Sequence, residues 1–337
     1  MQLGPFQIDH PFILAPMAGI TNSPYRRLMR RMQSSVVISE LISANGLEHA
    51  SQRTIDLFQF HEEERVVGIQ IFGEHAEALA GACRYVEKLG ADFVDLNLGC
   101  PVPKITKKGA GSAMCRDLKT LAQVLTAMVQ AVKIPVTIKI RTGWDESTKN
   151  AHEVVRVAAD CGVRWVAVHG RTRAQGYSGD ADWDFIGEIK AKSSIPILGN
   201  GDLNTAERAV EAYKKYGVDA VLIGRGALRN PWIFEQAAAL LSGQPMRQQT
   251  TEDFMVLLEL ERELFENWFG PEKAFVHARK HLAWLAAGFP GCHEFRRQVF
   301  SQPKSEDLWR ISREFFAMQK PRGSIDFAQP FLMGGHG

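Results

Sequence analysis

Short apolar runs rich in β-branched residues alternate with longer segments of helical periodicity up to about residue 240. Eight of these runs are apolar at nearly every position, which is typical of parallel strands covered by helices on both faces. The predicted strands are residues 12–17, 36–40, 66–72, 93–98, 136–141, 165–169, 195–200 and 220–224. Eight such units predict an α/β fold, a closed (β/α)8 TIM barrel.

Glycines at the ends of the helical segments support this alternation. Gly90, Gly162 and Gly217 each stand between a helical segment and a predicted strand, where glycine commonly ends a helix. The predicted helices include residues 77–89, residues 118–132 behind the N-cap Asp117, and residues 206–216 behind Asn204.

The strand pattern ends after Gly243, and apolar residues then recur at helical spacing on three faces. These faces are Phe254, Leu257, Leu258, Phe265 and Trp268; Phe275, Leu282 and Leu285; and Leu308, Ile311, Phe315 and Phe316. We expect a barrel domain over residues 1–243 and a small C-terminal helical domain over residues 244–320 that must dock on the barrel to be stable. Residues 321–337 mix proline and glycine without a period and are predicted to form a flexible tail.

Composition and charge narrow the class of protein. The 337 residues are 45% hydrophobic with a formal net charge of +2, so any nucleic-acid site must be a local basic patch. Five cysteines without a Cys-x-x-Cys pair argue against a disulfide framework and indicate a reducing compartment. The N-terminus lacks a signal sequence and no apolar run approaches the roughly 20 residues of a membrane span, so we expect a cytoplasmic protein without membrane contact.

Cys100 stands where the predicted strand 93–98 ends before Pro101. A proline disfavours the helical conformation in the residue before it, so Cys100 is expected to lie extended at the strand tip, a position suited to chemistry. The alternative is a small buried hydrophobe, the common fate of a free cysteine. The residues at neighbouring strand ends decide between these interpretations.

The catalytic face of a barrel lies at the carboxyl ends of its strands, and seven of the eight predicted strands carry polar or glycine residues there. Gly201 and Gly226 follow the seventh and eighth strands, where this fold commonly binds phosphate through backbone N–H groups. Tight turns alone would also explain these glycines. Lys139 lies within an apolar strand, where a buried ammonium requires an anionic or strongly accepting partner.

Two further patterns are set aside. Gly109-Ala110-Gly111 lacks the third glycine of a dinucleotide fingerprint and does not directly follow a strand. His277 and His281 are four residues apart on a helix, but the acidic residue of the His-Glu-x-x-His zinc pattern is missing. We therefore predict no metal site and expect both histidines on the helix surface.

Basic residues collect around the predicted mouth of the barrel and on the helical domain. The groups are Lys104, Lys107 and Lys108; Arg171 and Arg173; Arg26, Arg27, Arg30 and Arg31; Arg279 and Lys280 beside Trp284; and Arg296 and Arg297 beside Phe295 and Phe300. Positive charge interleaved with aromatic side chains suits an RNA backbone and unstacked bases. Any single group could be an ordinary solvated face, and together they favour an RNA partner.

Motifs in order along nearly the whole chain match one enzyme family. They are Ala15-Pro16-Met17-Ala18-Gly19-Ile20-Thr21, Asp95-Leu96-Asn97-Leu98-Gly99-Cys100-Pro101, Lys139-Ile140-Arg141-Thr142-Gly143, His169-Gly170-Arg171-Thr172-Arg173, Gly199-Asn200-Gly201-Asp202, Ile223-Gly224-Arg225 and Ala278-Arg279-Lys280-His281. The sequence thereby resembles the tRNA-dihydrouridine synthase family, and most of all its bacterial B branch.

The resemblance implies an oxidoreductase that reduces a uridine of tRNA to 5,6-dihydrouridine, using bound FMN and NADPH as the transient reductant. It implies that Cys100 protonates uracil carbon 5 while the flavin delivers hydride to carbon 6; a thiol near its ordinary pKa of about 8.5 can serve as this acid. The implied flavin contacts are Pro16, Met17, Ala18, Gln70, Lys139, His169, Asn200, Gly201, Asp202, Gly224 and Arg225. The expected substrate contacts are Asn97, Arg141, Tyr177, Arg171, Arg279 and Lys280.

Three consequences and two alternatives follow from this interpretation. We expect tRNA as the partner, no DNA or metal, and a monomer. A flavin barrel acting on a free pyrimidine is the first alternative, although the helical domain and the basic rim argue against it. A tRNA-binding factor without turnover is the second, although such a factor would not need Cys100, Lys139 and the phosphate loops together.

Overall fold

A barrel of parallel strands forms the centre of the molecule. The structure is a computed structural model that describes residues 1–46 and 52–319. In chain order the strands are β1 (Gln2–Leu3), β2 (Phe6–Gln7), β3 (Phe12–Leu14), β4 (Val37–Ile38), β5 (Ile42–Ser43), β6 (Val67–Phe72), β7 (Phe93–Leu98), β8 (Val136–Arg141), β9 (Val166–His169), β10 (Ile197–Asn200) and β11 (Ala220–Ile223). The eight predicted strands are all present, in the order β3-β11-β10-β9-β8-β7-β6-β4 around the barrel.

The pairing register of the strands and the closure of the barrel bring the polar carboxyl ends of the strands to the same end of the barrel. Lys139 pairs with Asn97 across β8 and β7, and His169 pairs with Asn200 across β9 and β10. The gap between β3 and β4 is bridged by two backbone hydrogen bonds, one of which joins the Leu14 N–H to the Val36 carbonyl at 3.0 Å. The predicted (β/α)8 barrel is confirmed, and its carboxyl ends form a single face.

The strands β1 and β2 form an antiparallel hairpin that the apolar pattern did not predict, because two-residue strands carry no readable period. Leu3 and Phe6 of this hairpin belong to a buried cluster with Phe93 and Trp165. The ring centroids of Phe6 and Trp165 lie 6.2 Å apart. Since Phe93 and Trp165 stand at the amino ends of β7 and β9, the hairpin covers the end of the barrel opposite the polar strand ends.

The helices lie outside the barrel and in the carboxyl-terminal part of the chain. They are α1 (Ser23–Arg31), α2 (Gln52–Leu57), α3 (Ala76–Lys88), α4 (Pro103–Thr106), α5 (Leu118–Ala131), α6 (Ala151–Asp160), α7 (Trp183–Lys192), α8 (Ala206–Tyr216), α9 (Arg225–Arg229), α10 (Ile233–Leu241), α11 (Thr251–Phe269), α12 (Pro271–Leu285), α13 (Cys292–Ser301) and α14 (Ser305–Ala317). None of the helices within residues 1–46 and 52–319 combines the length and the apolar character needed to cross a bilayer.

The helix ends test the predicted caps. Asp117 caps α5 as predicted, because its carboxylate accepts two backbone N–H groups of the first turn. The prediction that Asn204 precedes α8 as its cap is wrong by one residue: Thr205 is the N-cap, and its side chain accepts from the Arg208 N–H. The predicted glycine caps are confirmed by left-handed φ angles of 81°, 87° and 63° at Gly90, Gly162 and Gly217.

The carboxyl-terminal helices pack around aromatic rings and rest on the barrel. The Phe254 ring of α11 stacks on Phe316 of α14 with centroids 5.2 Å apart, and it lies 5.0 Å from the Trp232 ring. The helix α11 packs along α1, and α12 contacts α9. The structure adds α13 to the three predicted apolar faces. The domain boundaries stay predictions, and the predicted tail, residues 321–337, lies outside the described residues.

A buried polar cluster lies between the barrel and these helices. Tyr25 of α1, Glu261 of α11 and His281 of α12 are 2%, 2% and 5% exposed. The His281 ring centroid lies 4.5 Å from that of Tyr25, and its Nδ1 lies 3.5 Å from Glu261 Oε1. The prediction that His281 lies on the helix surface is therefore wrong, because the periodicity of one helix does not show which polar residue faces a neighbouring element. His277 is exposed, as expected.

Glu261→Gln is expected to stabilise the protein more at pH 8 than at pH 5. Burial raises the pKa of Glu261 from 4.5 to about 8, so the folded state keeps a proton that the unfolded chain releases. The free energy of unfolding therefore falls as the pH rises from 4.5 to about 8, by up to about 5 kcal/mol for this group, whereas glutamine does not titrate. Thermal unfolding at both pH values measures the effect, with the exposed Glu263→Gln on the same helix as the control. A difference in Tm that is independent of pH would contradict it.

Candidate active site

A cavity of about 570 Å³ opens at the carboxyl ends of the barrel strands. A volume of this size suits a small-molecule ligand that is largely enclosed. The predicted site residues that line it are Pro16, Met17, Ala18, Gln70, Asn97, Cys100, Lys139, Arg141, His169, Tyr177, Asn200, Gly201, Asp202, Gly224 and Arg225. Leu41 and Asn204 line it as well and were not predicted, whereas Arg171, Arg279 and Lys280 stand outside it.

The turns after β10 and β11 form one end of the cavity. Gly201 has a φ of 130°, and a Cβ on it would lie 2.5 Å from the Ala181 Cβ. A Cβ on Gly226 would lie 2.3 Å from the carbonyl oxygen of Leu203. Close packing alone thus requires glycine at both positions, and the binding of a phosphate there stays a prediction.

Asp202 organises the positive charges at this end of the cavity. Its φ of 53° is left-handed, which is uncommon for a residue with a side chain. Its carboxylate accepts from Arg171 Nη1 and Nη2 at 2.9 and 2.8 Å and lies 3.4 Å from Arg225 Nη2. Arg171 is 3% exposed and also donates to the carbonyls of Ser178 and Gly179. Arg171 therefore faces Asp202 and its own loop, and a direct contact with tRNA would require it to move.

Lys139 is half-buried and brings a positive charge to the wall of the cavity. Its ammonium forms no hydrogen bond or ion pair with the residues that the structure describes. Burial and then the charge of Arg141 lower its pKa from 10.5 to about 8, against the opposing effect of the Asp95 carboxylate. An unpaired buried ammonium is unfavourable, so this side chain is ready for an accepting or anionic group of a ligand.

A chain of side-chain hydrogen bonds links the barrel interior to Cys100. Asp95 accepts from Thr137 Oγ1 and from Gln70 Nε2, both at 2.7 Å. The Gln70 Oε1 accepts from Asn97 Nδ2 at 2.8 Å. The Asn97 Oδ1 in turn accepts from the Cys100 backbone N–H at 2.9 Å. The position of Cys100 is therefore set by groups on three adjacent strands.

Asp95 is a functional residue that the sequence analysis missed as such. It is 1% exposed, and burial raises its pKa to about 6 although its hydrogen bonds from Gln70 and Thr137 oppose the shift. The sequence does contain an indication of this role. Asp95 lies between Val94 and Leu96 of an apolar strand, and a buried carboxylate, like a buried ammonium, requires a hydrogen-bond or charge partner.

Cys100 lies two residues beyond the end of β7, at the strand tip as predicted. Its carbonyl accepts from the Ser112 hydroxyl at 3.0 Å, so the backbone is held on both sides of the thiol. Burial raises the pKa of the Cys100 thiol and outweighs the Val102 backbone hydrogen bond and the Arg141 charge, which lower it. The thiol is therefore protonated at neutral pH and can donate a proton.

The remaining wall of the cavity is positively charged and carries one neutral imidazole. Burial first, and then the charges of Arg141 and Lys139, lower the pKa of His169 well below its ordinary value. Arg141 donates to the carbonyls of Gly99 and Thr172, and burial lowers its pKa to about 10, so it stays charged at neutral pH. Such a wall suits a phosphate or an anionic ring. Within the described residues, no three His, Cys, Asp or Glu side chains gather as metal ligands would.

Tyr177 and Lys280 stand at the mouth of the cavity. Tyr177 is 49% exposed, and its ring centroid lies 4.9 Å from the Arg225 guanidinium and 5.7 Å from that of Arg141. The Lys280 ammonium of α12 lies 3.8 Å from the point where a Cβ on Gly19 would stand. The helix α12 thus extends a positive charge, unpaired within residues 1–46 and 52–319, to the rim beside the residues that follow β3.

Arg279 and the arginines of α1 lie differently from Lys280. Arg279 turns away from the mouth, donates to the Gln302 carbonyl and stacks on the Phe275 ring at 4.6 Å. Arg26 of α1 is fully buried against Glu64. On the same helix, Arg27 and Arg31 both form ion pairs with Glu63. The arginines of α1 therefore offer little free charge to RNA, a result that spacing along one helix could not reveal.

The chain is similar to proteins of one family. Residues 13–317 match the family model described as Dihydrouridine synthase (Dus). A tRNA-dihydrouridine synthase B from Pseudomonas aeruginosa is 39% identical over 328 residues, which cover 96% of this chain and 98% of the relative. A protein of the same name from Xanthomonas axonopodis pv. citri is 37% identical over 317 residues, covering 94% and 96%. Among solved structures, a 2-naphthoyl-CoA reductase complex shares the fold with a TM-score of 0.57 at 13% identity, over 93% of this chain and 67% of that one.

Proposed function

Because the chain belongs to the dihydrouridine synthase family, we propose that its barrel cavity is the site where a uridine of tRNA is reduced to 5,6-dihydrouridine. One observation carries this assignment: the Cys100 thiol, the Lys139 ammonium and the glycine turns after β10 and β11 line a single cavity. A flavin-dependent reduction of a carbon–carbon double bond requires an acid, a partner for the flavin ring and a site for its phosphate. The protein is thus a flavin-dependent oxidoreductase acting on a CH–CH bond.

FMN is the flavin proposed for this site, with NADPH as its reductant. Lys139 would pair with the polar edge of the ring, and the second N–H of Gln70 Nε2, which has no partner in the part of the chain that the structure describes, would join it. The turns at Gly201 and Gly224, with the Arg225 guanidinium, would hold the phosphate. Pro16, Met17, Ala18, Asn200 and Asp202 line the same part of the cavity and complete the proposed binding site. When bound, the reduced flavin supplies the hydride for uracil carbon 6.

Cys100 is proposed to donate the proton to uracil carbon 5. Its raised pKa keeps the thiol protonated at neutral pH, and two hydrogen bonds hold its backbone in place: the Cys100 N–H donates to Asn97 Oδ1, and the Cys100 carbonyl accepts from the Ser112 hydroxyl. Among the described residues, no group binds the second N–H of Asn97 Nδ2 or the Nη2 group of Arg141, so both can orient the uracil carbonyls. The neutral imidazole of His169 lies at the flavin side without adding charge there.

The target uridine must leave the tRNA stack to reach the cavity, as in other enzymes that act on a base. The exposed ring of Tyr177 offers a stacking surface at the mouth, and Lys280 offers a charge for the phosphate backbone. Relatives named as tRNA-dihydrouridine synthases weigh against the two alternatives, a flavin barrel for a free pyrimidine and a tRNA-binding factor without turnover. We propose tRNA as the physiological partner of both the barrel and α12.

Purified protein incubated with FMN, NADPH and tRNA transcribed in vitro is expected to form dihydrouridine. The product contains two more hydrogen atoms than uridine, so mass spectrometry of nuclease-digested tRNA detects it and identifies its position. Omission of NADPH is the control. Protein that binds FMN and tRNA but leaves the uridine content unchanged would contradict the proposed function.

A further inference from the structure

Two arginines share one tryptophan ring at the rim of the barrel. The guanidinium of Arg116 lies 4.8 Å from the Trp144 ring centroid, and that of Arg173 lies 4.5 Å from it. Arg116 is exposed, whereas Trp144 and Arg173 are half-buried. We name these three residues the arginine–tryptophan clamp. Cation–π contact with the indole holds the two guanidinium groups in defined positions.

Neither guanidinium of the clamp is neutralised within the described residues. Arg116 and Arg173 form no ion pair there, and the buried Arg173 Nε has no hydrogen-bond partner. The neighbouring carboxylates are engaged elsewhere: Asp117 caps α5, and Asp145 accepts from the turn that follows it. This differs from α1, whose Arg27 and Arg31 share Glu63. Two like charges on one ring repel each other, so the arrangement favours an external anion.

The clamp stands on the loops that carry the substrate end of the cavity. The Arg173 N–H donates to the Gly143 carbonyl at 2.9 Å, which ties the loop after β9 to the loop after β8. Arg116 ends the 3-10 turn Gly111–Arg116, and a Cβ on Gly111 would lie 3.2 Å from the Cys100 Cβ. The clamp is therefore built on the loops after β8 and β9 and on the 3-10 turn whose first residue packs on Cys100, whereas the phosphate turns follow β10 and β11.

The barrel order sets the clamp across the mouth from α12. Lys280 lies beside Gly19, in the loop after β3. Trp144 follows β8, and β8 is four strands away from β3 in a barrel of eight. A strand of RNA that delivers its base into the cavity would thus have one positive group on each side of the opening.

We propose that the arginine–tryptophan clamp binds a phosphate of the tRNA backbone next to the extruded uridine. This inference rests on the proposed function, since it takes the RNA as the polymer that crosses the mouth. The planar N–H forks of two arginines match phosphate oxygens, and stacking on Trp144 fixes the forks before the RNA arrives. The clamp adds affinity and orientation from the barrel itself, separately from the helical domain.

The test is the double variant Arg116→Gln/Arg173→Gln, measured in the flavin-loaded protein. We expect tRNA affinity to fall about tenfold at moderate salt, and the slope of log Kd against log salt to decrease by about 1, because one phosphate contact is lost. The rate of flavin reduction by NADPH without tRNA should stay unchanged. The flavin absorbance spectrum verifies that the variant is folded.

Two further variants serve as controls, one for the loss of charge and one for the shape of the guanidinium group. Arg27→Gln/Arg31→Gln removes the same charge from α1 and should leave tRNA affinity within about twofold, because both guanidinium groups are already bound to the Glu63 carboxylate. Arg116→Lys/Arg173→Lys keeps the charge without the planar fork and should bind tRNA with intermediate affinity.

Unchanged tRNA affinity and salt dependence in the glutamine variant would overturn the proposal that the clamp binds a tRNA phosphate. A higher KM for NADPH with unchanged tRNA affinity would also overturn it and would assign the anion to the dinucleotide. The wild-type protein is assayed for dihydrouridine formation alongside the variants. If the wild-type protein forms none, the proposed function fails; if it does and the variant binds tRNA normally, only the clamp proposal fails.

Discussion

Replacement of Cys100 with alanine is expected to slow dihydrouridine formation by about 10²–10⁴-fold, the usual contribution of a positioned general acid, while FMN and tRNA remain bound. The substitution removes the thiol but keeps the backbone N–H that donates to Asn97 and the carbonyl that accepts from Ser112. The flavin contacts proposed above therefore stay in place. The loss should appear in the chemical step and not in binding.

Single-turnover oxidation of the reduced flavin by tRNA, followed by absorbance, measures that step. Cys161→Ala is the matched control, since Cys161 is also half-buried but lies at the end of α6, where its sulfur contacts the Ala122 carbonyl. Because burial raises the pKa of Cys100, the wild-type rate should be constant through neutral pH and fall only where the thiol loses its proton at higher pH. An unchanged rate in Cys100→Ala would exclude this residue as the acid.

Replacement of Lys139 with methionine is expected to have opposite effects on stability and on cofactor binding. The variant removes a half-buried, desolvated charge that has no partner among the described residues, so the flavin-free protein should become more stable, by up to about 3 kcal/mol at neutral pH. The same change removes the proposed partner of the flavin ring and should weaken FMN binding by about 10–100-fold.

The pH dependence separates this explanation from better packing by methionine. The pKa of Lys139 is lowered from 10.5 to about 8, so the unfolded chain binds a proton that the folded state lacks between these values. The free energy of unfolding of the wild-type protein therefore rises between pH 8 and 10.5 because of Lys139. The extra stability of the Lys139→Met variant should shrink over that range. Chemical unfolding of the flavin-free proteins and FMN titration measure both effects. The exposed Lys192→Met on α7 is the control, and a variant that is less stable yet keeps its FMN affinity would contradict the prediction.

The features that the sequence predicted well are those that depend on neighbouring residues. The strand β7 is visible as an apolar run, the N-cap Asp117 stands directly before its helix, and Cys100 is marked by the proline that follows it. Each of these signals is local, because backbone conformation depends mainly on the residues within one or two turns. The barrel and its polar face follow from their repetition.

The features that were not predicted depend on pairs far apart in the chain. Arg171 is recognisable as basic, but its burial against Asp202 depends on the packing of two separate loops. His281 has the spacing of a surface residue on α12, yet α1 and α11 enclose it. No period in one segment encodes the partner supplied by another. Such pairings follow from the three-dimensional structure.

The hydrogen bonds from Gln70 through Asn97 to Cys100 have a consequence for the order of events. A ligand that binds the second N–H of Gln70 would act on the same hydrogen bonds that position Cys100, so we expect cofactor binding and base binding to be thermodynamically linked. Such linkage is reciprocal: bound cofactor should raise the affinity for the RNA base, and a bound base should slow the dissociation of the cofactor. A barrel that has lost its flavin would then release tRNA readily, and unproductive complexes would be short-lived.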